Sequence, residues 1–188
     1  MKKILLMAAI VLSSIAAKAQ TEPGTFTLMP KVGLNMANTT GGDSKMKAGA
    51  VAGVEAEYRV NNLLGVSAGV LYSMQGCKAD EGDGKMKADY LNIPILANFY
   101  VWKGLALKVG IQPGFMMSCK DEDGDDMKDA CETFDFSIPV GASYEYKDFV
   151  LDLRYNIGVT KINKESGPGQ DDSRNGVLAI TLGYKFAL

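Results

Sequence analysis

The sequence predicts an all-β fold, an eight-stranded antiparallel up-and-down β-barrel, and three observations lead to it. Apolar residues recur at every second position through most of the chain, which is typical of strands with one face in an apolar medium. The gaps between these stretches are alternately long and polar or very short. Charged residues share the face opposite the apolar one. Together these patterns predict four long loops at one end of a barrel and three short turns at the other.

The first four strands are predicted from alternation and from the turn residues between them. In the first strand, polar or small residues alternate with Val32, Leu34 and Met36. In the second strand, charged residues alternate with Val54, Ala56, Tyr58 and Val60. Asn61-Asn62 then predicts a tight turn, because asparagine tolerates positive φ. The first four predicted strands cover residues 31–36, 48–60, 63–74 and 89–101, with polar loops at 38–47 and 75–88.

The last four strands follow the same rule. Short turns are predicted at Trp102-Lys103-Gly104 and Lys147-Asp148. The long gap at 117–133 is strongly acidic, and the gap at 160–175 is polar. These four predicted strands cover residues 105–116, 134–146, 149–159 and 176–188.

The last strand and the first residues indicate a destination. Thr181-x-Gly183-x-x-Phe186-x-Leu188 resembles the C-terminal signal by which the barrel-assembly machinery recognises outer-membrane barrels, although an edge strand of a soluble sandwich is an alternative. Residues 1–19 read as a cleavable signal peptide: two lysines, a short apolar run and an Ala17-Lys18-Ala19 cleavage site. Residues 20–188 then form a single domain. The chain is expected to be exported and to cross the outer membrane as a barrel, because lipid tolerates no unpaired backbone.

Composition excludes several function classes. Removing residues 1–19 lowers the 20 basic residues to 17 against 22 acidic ones, a net charge of −5, which argues against nucleic acid as a partner. The chain has no histidine, the commonest general base and metal ligand. Neither an enzyme nor a cofactor or metal centre is therefore expected.

In a membrane barrel the apolar face meets lipid and the charged face lines the lumen. Aromatic belts at both ends agree with this orientation. The belt at the turn end is assigned Tyr58, Tyr100, Trp102, Tyr144, Tyr146, Phe149 and Phe186, and the belt at the loop end Tyr72, Tyr90, Phe115, Phe134 and Tyr155. The predicted interior polar network is Glu55, Glu57, Arg59, Lys108, Asp135, Glu145, Asp152, Arg154 and Lys185. A soluble lipocalin-like binding barrel would invert every one of these assignments.

Three prolines, Pro94, Pro113 and Pro139, fall inside predicted strands. Each removes a hydrogen-bond donor from the ladder, so bulges or rim positions with local irregularity are expected there.

The chain resembles the PorT-like family of small outer-membrane β-barrel proteins of Gram-negative bacteria. The resemblance rests on the sequence YLNIPIL at residues 90–96, and on DFSIPVGA at 135–142 running on to LRYNIG at 153–158. Asn92 stands where that family more often carries an acid. The resemblance implies an eight-stranded barrel and assigns no activity.

Two further features suggest local chemistry at the loop end. Carboxylates alternate in Asp121–Asp126 like the start of a calcium loop, but the glycine is displaced and the distal glutamate is missing, which favours a solvated hairpin tip. Cys119 and Cys131 flank that loop, so a disulfide between them is the favoured hypothesis, with Cys77 as an alternative partner for either.

The sequence thus predicts a non-catalytic outer-membrane protein with a structural or surface-interaction role through its loops. A narrow pore or small-ligand carrier that uses the charged lumen is the alternative within the same fold. Eight strands leave an interior just wide enough for side chains to fill, which favours the first reading. The surface ligand is not specified by any motif.

Overall fold

The chain folds into a closed antiparallel barrel. The computed structural model describes residues 22–40, 44–45, 47–79, 85–120, 133–161 and 174–188. The strands are β1 (Phe26–Thr40), β2 (Lys47–Arg59), β3 (Leu64–Ala79), β4 (Lys85–Asn92 and Ile95–Trp102), β5 (Leu105–Lys120), β6 (Phe134–Tyr146), β7 (Phe149–Lys161) and β8 (Arg174–Tyr184 and Phe186–Ala187). A two-residue segment, Ser44–Lys45, lies before β2 and pairs with β3.

Each strand pairs with its sequence neighbour, and β1 pairs with β8 to close the ring. Lys31 lies opposite Gly183 and Leu28 lies opposite Phe186. Because the first and last strands pair, the sheet of the described residues closes on itself, which is the requirement for a sheet in lipid. The predicted eight-stranded up-and-down barrel is therefore confirmed. Within the described ranges, the structure contains no helix long and apolar enough to cross a membrane.

The strands at the loop end are longer than predicted. Residues 75–78 of β3 pair with 85–88 of β4, so most of the predicted loop 75–88 is strand, and the prediction was wrong there. β5 runs on to Lys120 and β7 to Lys161, into the gaps expected to be loops. Alternation fades where both faces of a strand leave lipid, while the backbone ladder continues. The sequence pattern therefore marks the apolar band and underestimates the strands.

The short turns connect β2 to β3, β4 to β5 and β6 to β7, as predicted. Asn61 does not adopt positive φ; its side-chain Oδ1 instead accepts hydrogen bonds from the backbone N–H groups of Leu63 and Leu64, both at 2.8 Å. Asparagine also favours turns in this way, by hydrogen bonds from its side chain to backbone groups two or three residues later. Lys147 and Gly104 take positive φ in the other two turns.

The prolines do not create the expected bulges. The register of β4 with both β3 and β5 is the same on either side of Pro94, although the strand is interrupted there. Pro113 and Pro139 pair in register with Phe136 and Asn156. Pro94 still contributes its carbonyl, which accepts a hydrogen bond from the N–H of Gly69 at 3.0 Å. Register shifts occur elsewhere, near 89–90, 100–102 and 174–176.

The apolar face points outward and the charged face inward. Leu34 is 65% exposed, whereas Lys31, three positions earlier, is 2% exposed. A soluble binding barrel requires the reverse arrangement, so the lipocalin-like alternative is wrong. Most of the assigned belt aromatics lie outside, including Trp102 at 71% exposure. Tyr90 and Tyr100 do not, and both are buried in the lumen. Along β4 they are separated from Asn92 and Asn98 by an even number of positions, so they have the same parity and face the same side of the strand.

Candidate functional site

The lumen is the candidate site, and all nine residues of the predicted interior network have their side chains on its face. Seven are less than a tenth exposed, while Asp135 and Glu145 are half-buried. The structure does not join the nine into one network. It separates them into a central cluster, a cluster near the short turns, and Asp135 by itself.

The central cluster consists of Lys31, Glu55, Lys108, Asp152 and Arg154. Lys31 Nζ lies 3.1 Å from Glu55 Oε2 and 2.9 Å from Asp152 Oδ2. Lys108 Nζ lies 2.6 Å from Asp152 Oδ2 and 3.5 Å from Glu55 Oε1. Arg154 Nη2 bridges the same two carboxylates at 3.1 and 3.0 Å. Each carboxylate therefore contacts all three cations.

The central cluster spans the lumen and carries an excess of positive charge. Its members come from β1, β2, β5 and β7, and three cations surround two anions. Buried charges are tolerated when they are paired, and every charge of this cluster has an opposite charge within 3.5 Å. Lys31 was missing from the predicted network although it has the parity of Gly33 and Asn35. That parity was the signal that could have identified it.

The turn-end cluster is built around Glu57. Its carboxylate accepts hydrogen bonds from Tyr100 Oη at 2.5 Å and Asn98 Nδ2 at 3.0 Å. Lys185 Nζ lies 3.5 Å from Glu57 Oε1 and 2.8 Å from Glu145 Oε2, and it donates to Tyr100 Oη at 3.2 Å. Tyr100 and Asn98 were not predicted as network members; again their parity in β4 was the available signal.

Two details of backbone and ring placement support this cluster. A Cβ at Gly65 would lie 2.9 Å from Glu57 Oε1, so glycine on β3 leaves the space that the carboxylate occupies. The Arg59 guanidinium stacks on the Tyr100 ring with Cζ 3.2 Å from the ring centroid. Such stacking attracts the cation to the face of the aromatic ring and leaves its N–H groups to other partners.

Asp135 lies towards the loop end and belongs to neither cluster. Its Oδ1 accepts a hydrogen bond from Thr160 Oγ1 at 2.8 Å, and Thr160 Oγ1 accepts from the N–H of Phe136 at 2.9 Å. These bonds link β6 to β7. They read as a local structural bridge near the rim.

The loop-end half of the lumen is filled by amides, hydroxyls and apolar side chains. Asn35 Nδ2 donates to Ser73 Oγ at 2.6 Å, and Gln75 Nε2 donates to the same oxygen at 3.0 Å. Ala88, Tyr90, Met116 and Cys119 form a buried apolar group beside them. A cavity of about 20 Å³ lies where this half meets the central cluster, lined by Asn92, Gln112, Asp152, Arg154 and Asn156 among others. That volume holds about one water molecule.

The remaining site predictions are not tested. In the part of the chain that the structure describes, no three Cys, Asp or Glu side chains converge as a metal site. The acidic run Asp121–Asp126 lies outside the described residues. So does Cys131, and the disulfide therefore remains a prediction; Cys119 itself is buried.

Comparison with known proteins gives the family and the fold. The Outer membrane protein beta-barrel domain model matches residues 5–186. The attachment invasion locus protein of Yersinia pestis is similar in structure, with TM-score 0.54 and 16% identity over 88% of this chain and 100% of that chain. Neisserial surface protein A is also similar, with TM-score 0.55 and 17% identity over 86% and 97%. No curated protein sequence matches. The chain thus belongs to the outer-membrane β-barrel domain family and resides in the outer membrane.

Proposed function

We propose that this protein is a non-catalytic, surface-interacting barrel whose extracellular loops make its functional contacts. One observation carries the proposal: the central cluster fills the lumen from several strands. With the barrel body serving as a closed scaffold, the loop end is the part exposed to partners.

The geometry of the central cluster explains why the lumen is blocked. Lys31, Lys108 and Arg154 reach the same two carboxylates at 2.6–3.5 Å, which ties opposite walls together. The adjacent cavity of about 20 Å³ holds a single water and offers no room for a solute. Breaking such pairs without replacement leaves a buried unpaired charge, which is strongly unfavourable.

The loop sequences favour a basic partner. The predicted loop 117–133 carries seven aspartates and glutamates against two lysines, so this loop is acidic, whereas the other three predicted loops are close to neutral. The Yersinia pestis attachment invasion locus protein was solved with the heparin analogue sucrose octasulfate, a polyanion. Opposite charge steers association and like charge suppresses it. We therefore infer the opposite preference here, for cationic peptides or cationic surfaces.

The test is binding of fluorescent polylysine and heparin to the barrel in nanodiscs at low and physiological salt. Polylysine is expected to bind and heparin is not. A variant with Asp121, Asp123, Asp125 and Asp126 changed to asparagine should lose polylysine binding by roughly tenfold or more, since each charge contributes through long-range attraction. Neutralising Asp135, inside the barrel, serves as the matched control. Equal binding of heparin and polylysine, or unchanged binding by the loop variant, contradicts the proposal.

A narrow pore is the second candidate, and the small polar cavity beside Arg154 is the observation that favours it. Arg154 Nε is buried without a hydrogen-bond partner among the described atoms, so the lumen has some capacity for water. Single-channel recording in planar bilayers separates the two functions. Steady unitary steps in the wild-type protein support the pore, and their absence supports the closed scaffold.

Three finer assignments accompany the proposal. The motifs at 90–96 and 135–142 support membership of the PorT-like group within the wider family. The last strand, with Gly183 and Phe186, is proposed to engage the barrel-assembly machinery. Residues 1–19 are proposed to be removed on export. N-terminal sequencing that starts at Gln20, and slower membrane insertion of Phe186→Ala, are the expected results.

A further inference from the structure

A cleft at the short-turn end has the features of an anion site. It encloses about 480 Å³ between the turns that follow β2, β4 and β6. Arg59, Lys103 and Lys147 contribute cations to its lining, and Glu145 contributes a carboxylate that already binds Lys185 at 2.8 Å. Short turns of outer-membrane barrels face the periplasm. The cleft is therefore a positively charged opening at the inner leaflet.

Arg59 is the residue that most needs a further partner. It is 7% exposed, its Nε has no hydrogen-bond partner, and no carboxylate of the described chain pairs with it. Its guanidinium stacks on Tyr100, which fixes the plane and leaves the N–H donors at its edge. A planar edge of donors matches the oxygens of phosphate better than a single ammonium does.

The rest of the lining shows which phosphate fits. Trp102 and Tyr146 line the same cleft and are 71% and 64% exposed on the lipid-facing side of the barrel, and Tyr144 is 48% exposed. Aromatic side chains of this kind sit at the level of lipid headgroups. A ligand with an anionic head and an apolar tail can contact the cations and the aromatic rim together.

We propose that this cleft binds the phosphate headgroup of an anionic glycerophospholipid of the inner leaflet. The phosphodiester contacts Arg59, with Lys103 and Lys147 around it, and the glycerol and acyl region lies against Trp102 and Tyr144. The proposal concerns the periplasmic end of the barrel and is independent of the loops at the other end. A soluble phosphate could present the same oxygens, so the test separates the two sources.

The protein offers its own probe, because Trp102 is the single tryptophan of the chain. The full chain is reconstituted in phosphatidylcholine nanodiscs that contain brominated phosphatidylglycerol or brominated phosphatidylcholine over the same series of mole fractions. Bromine quenches tryptophan on contact. Brominated phosphatidylglycerol is expected to quench Trp102 at a mole fraction at least about fivefold lower than the brominated phosphatidylcholine does.

Matched variants then locate the site. Lys103→Gln with Lys147→Gln removes two turn lysines and should abolish the preference, so that both brominated lipids quench at about the same mole fraction. The control, Lys47→Gln with Lys161→Gln, removes two lysines of β2 and β7 at the loop end and should keep it. Arg59→Gln should also weaken the preference, provided that a heat-modifiable band shows that this variant folds. If it does not fold, the variant without the two turn lysines tests the proposal.

Three results would overturn the proposal. Equal quenching by the two brominated lipids removes the headgroup preference. Full preference in the turn-lysine variant removes the site. A saturable change of Trp102 emission with millimolar inorganic phosphate in pure phosphatidylcholine assigns the cleft to a soluble anion, whereas an unchanged emission agrees with a lipid.

Discussion

The two halves of the lumen are stabilised in different ways. The turn-end half, taken to include the central cluster, holds two carboxylates that contact three shared cations. In the same half Glu57 accepts hydrogen bonds from Tyr100 and Asn98 and lies 3.5 Å from Lys185 Nζ. In the loop-end half, neutral amides and hydroxyls meet an apolar group. The comparison teaches that charge balance governs one half and ordinary hydrogen bonding and packing govern the other. Isosteric substitutions in each half test that distinction.

Glu55→Gln is expected to have the largest effect. It leaves Asp152 alone with three buried cations, and breaking a buried pair in this way costs about 3–5 kcal/mol of unfolding free energy. Urea unfolding in lipid vesicles, followed by gel migration without boiling, measures the cost. A loss below about 1 kcal/mol would show that the cluster is hydrated rather than dry.

Tyr100→Phe is expected to rank second. It keeps the ring beneath Arg59 and removes the hydroxyl that donates to Glu57 at 2.5 Å. Losing a hydrogen bond to a buried charged group costs about 1–3 kcal/mol. The same unfolding assay applies. Tyr58→Phe, on the exposed outer face, is the matched control and should change the midpoint little.

Ser73→Ala tests the loop-end half and should cost less. It removes the oxygen that accepts from Asn35 and Gln75, and leaves both amides without that partner. Neutral hydrogen bonds contribute about 0.5–1.5 kcal/mol each, and the nearby cavity lets water replace part of the loss. A cost equal to that of Glu55→Gln would erase the distinction between the halves.

Lys31→Met is expected to have the smallest effect although it removes two ion pairs. The change leaves Lys108 and Arg154 opposite Glu55 and Asp152, so the charges balance. Replacing a buried ion by an apolar group of similar volume is often neutral, so a change within about 1 kcal/mol is expected. The double variant with Glu55→Gln should be more stable than Glu55→Gln alone; a strictly additive loss would contradict charge balance as the cause.

The barrel could be predicted from the sequence because lipid enforces a period of two on every strand. The same rule explains most errors. Tyr100 and Tyr90 were assigned to belts by residue type, although their parity places them beside Asn98 and Asn92 in the lumen. The ends of β3 and β4 lie beyond the apolar band, where the pattern no longer distinguishes strand from loop.

The partition of the lumen could not be predicted from the sequence. The register between strands decides which charged side chains lie at the same height in the lumen. This register brings Lys31 close to Asp152 and Lys185 close to Glu145. The pattern of one strand does not show its register with the neighbouring strands. The pairing of cysteines and the shape of the acidic loops depend on residues beyond the described ranges and stay predictions.

The sequence distance across the central cluster has a consequence for the order of assembly. Lys31 and Asp152 are 121 residues apart, and Glu55 and Arg154 are 99 apart. These ion pairs need β1, β2, β5 and β7 around one lumen, so we expect them to form late and their charges to stay hydrated until then. Contacts of such long range slow folding. Contacts that form after the transition state slow unfolding. We therefore expect the central cluster to give the inserted barrel a long lifetime.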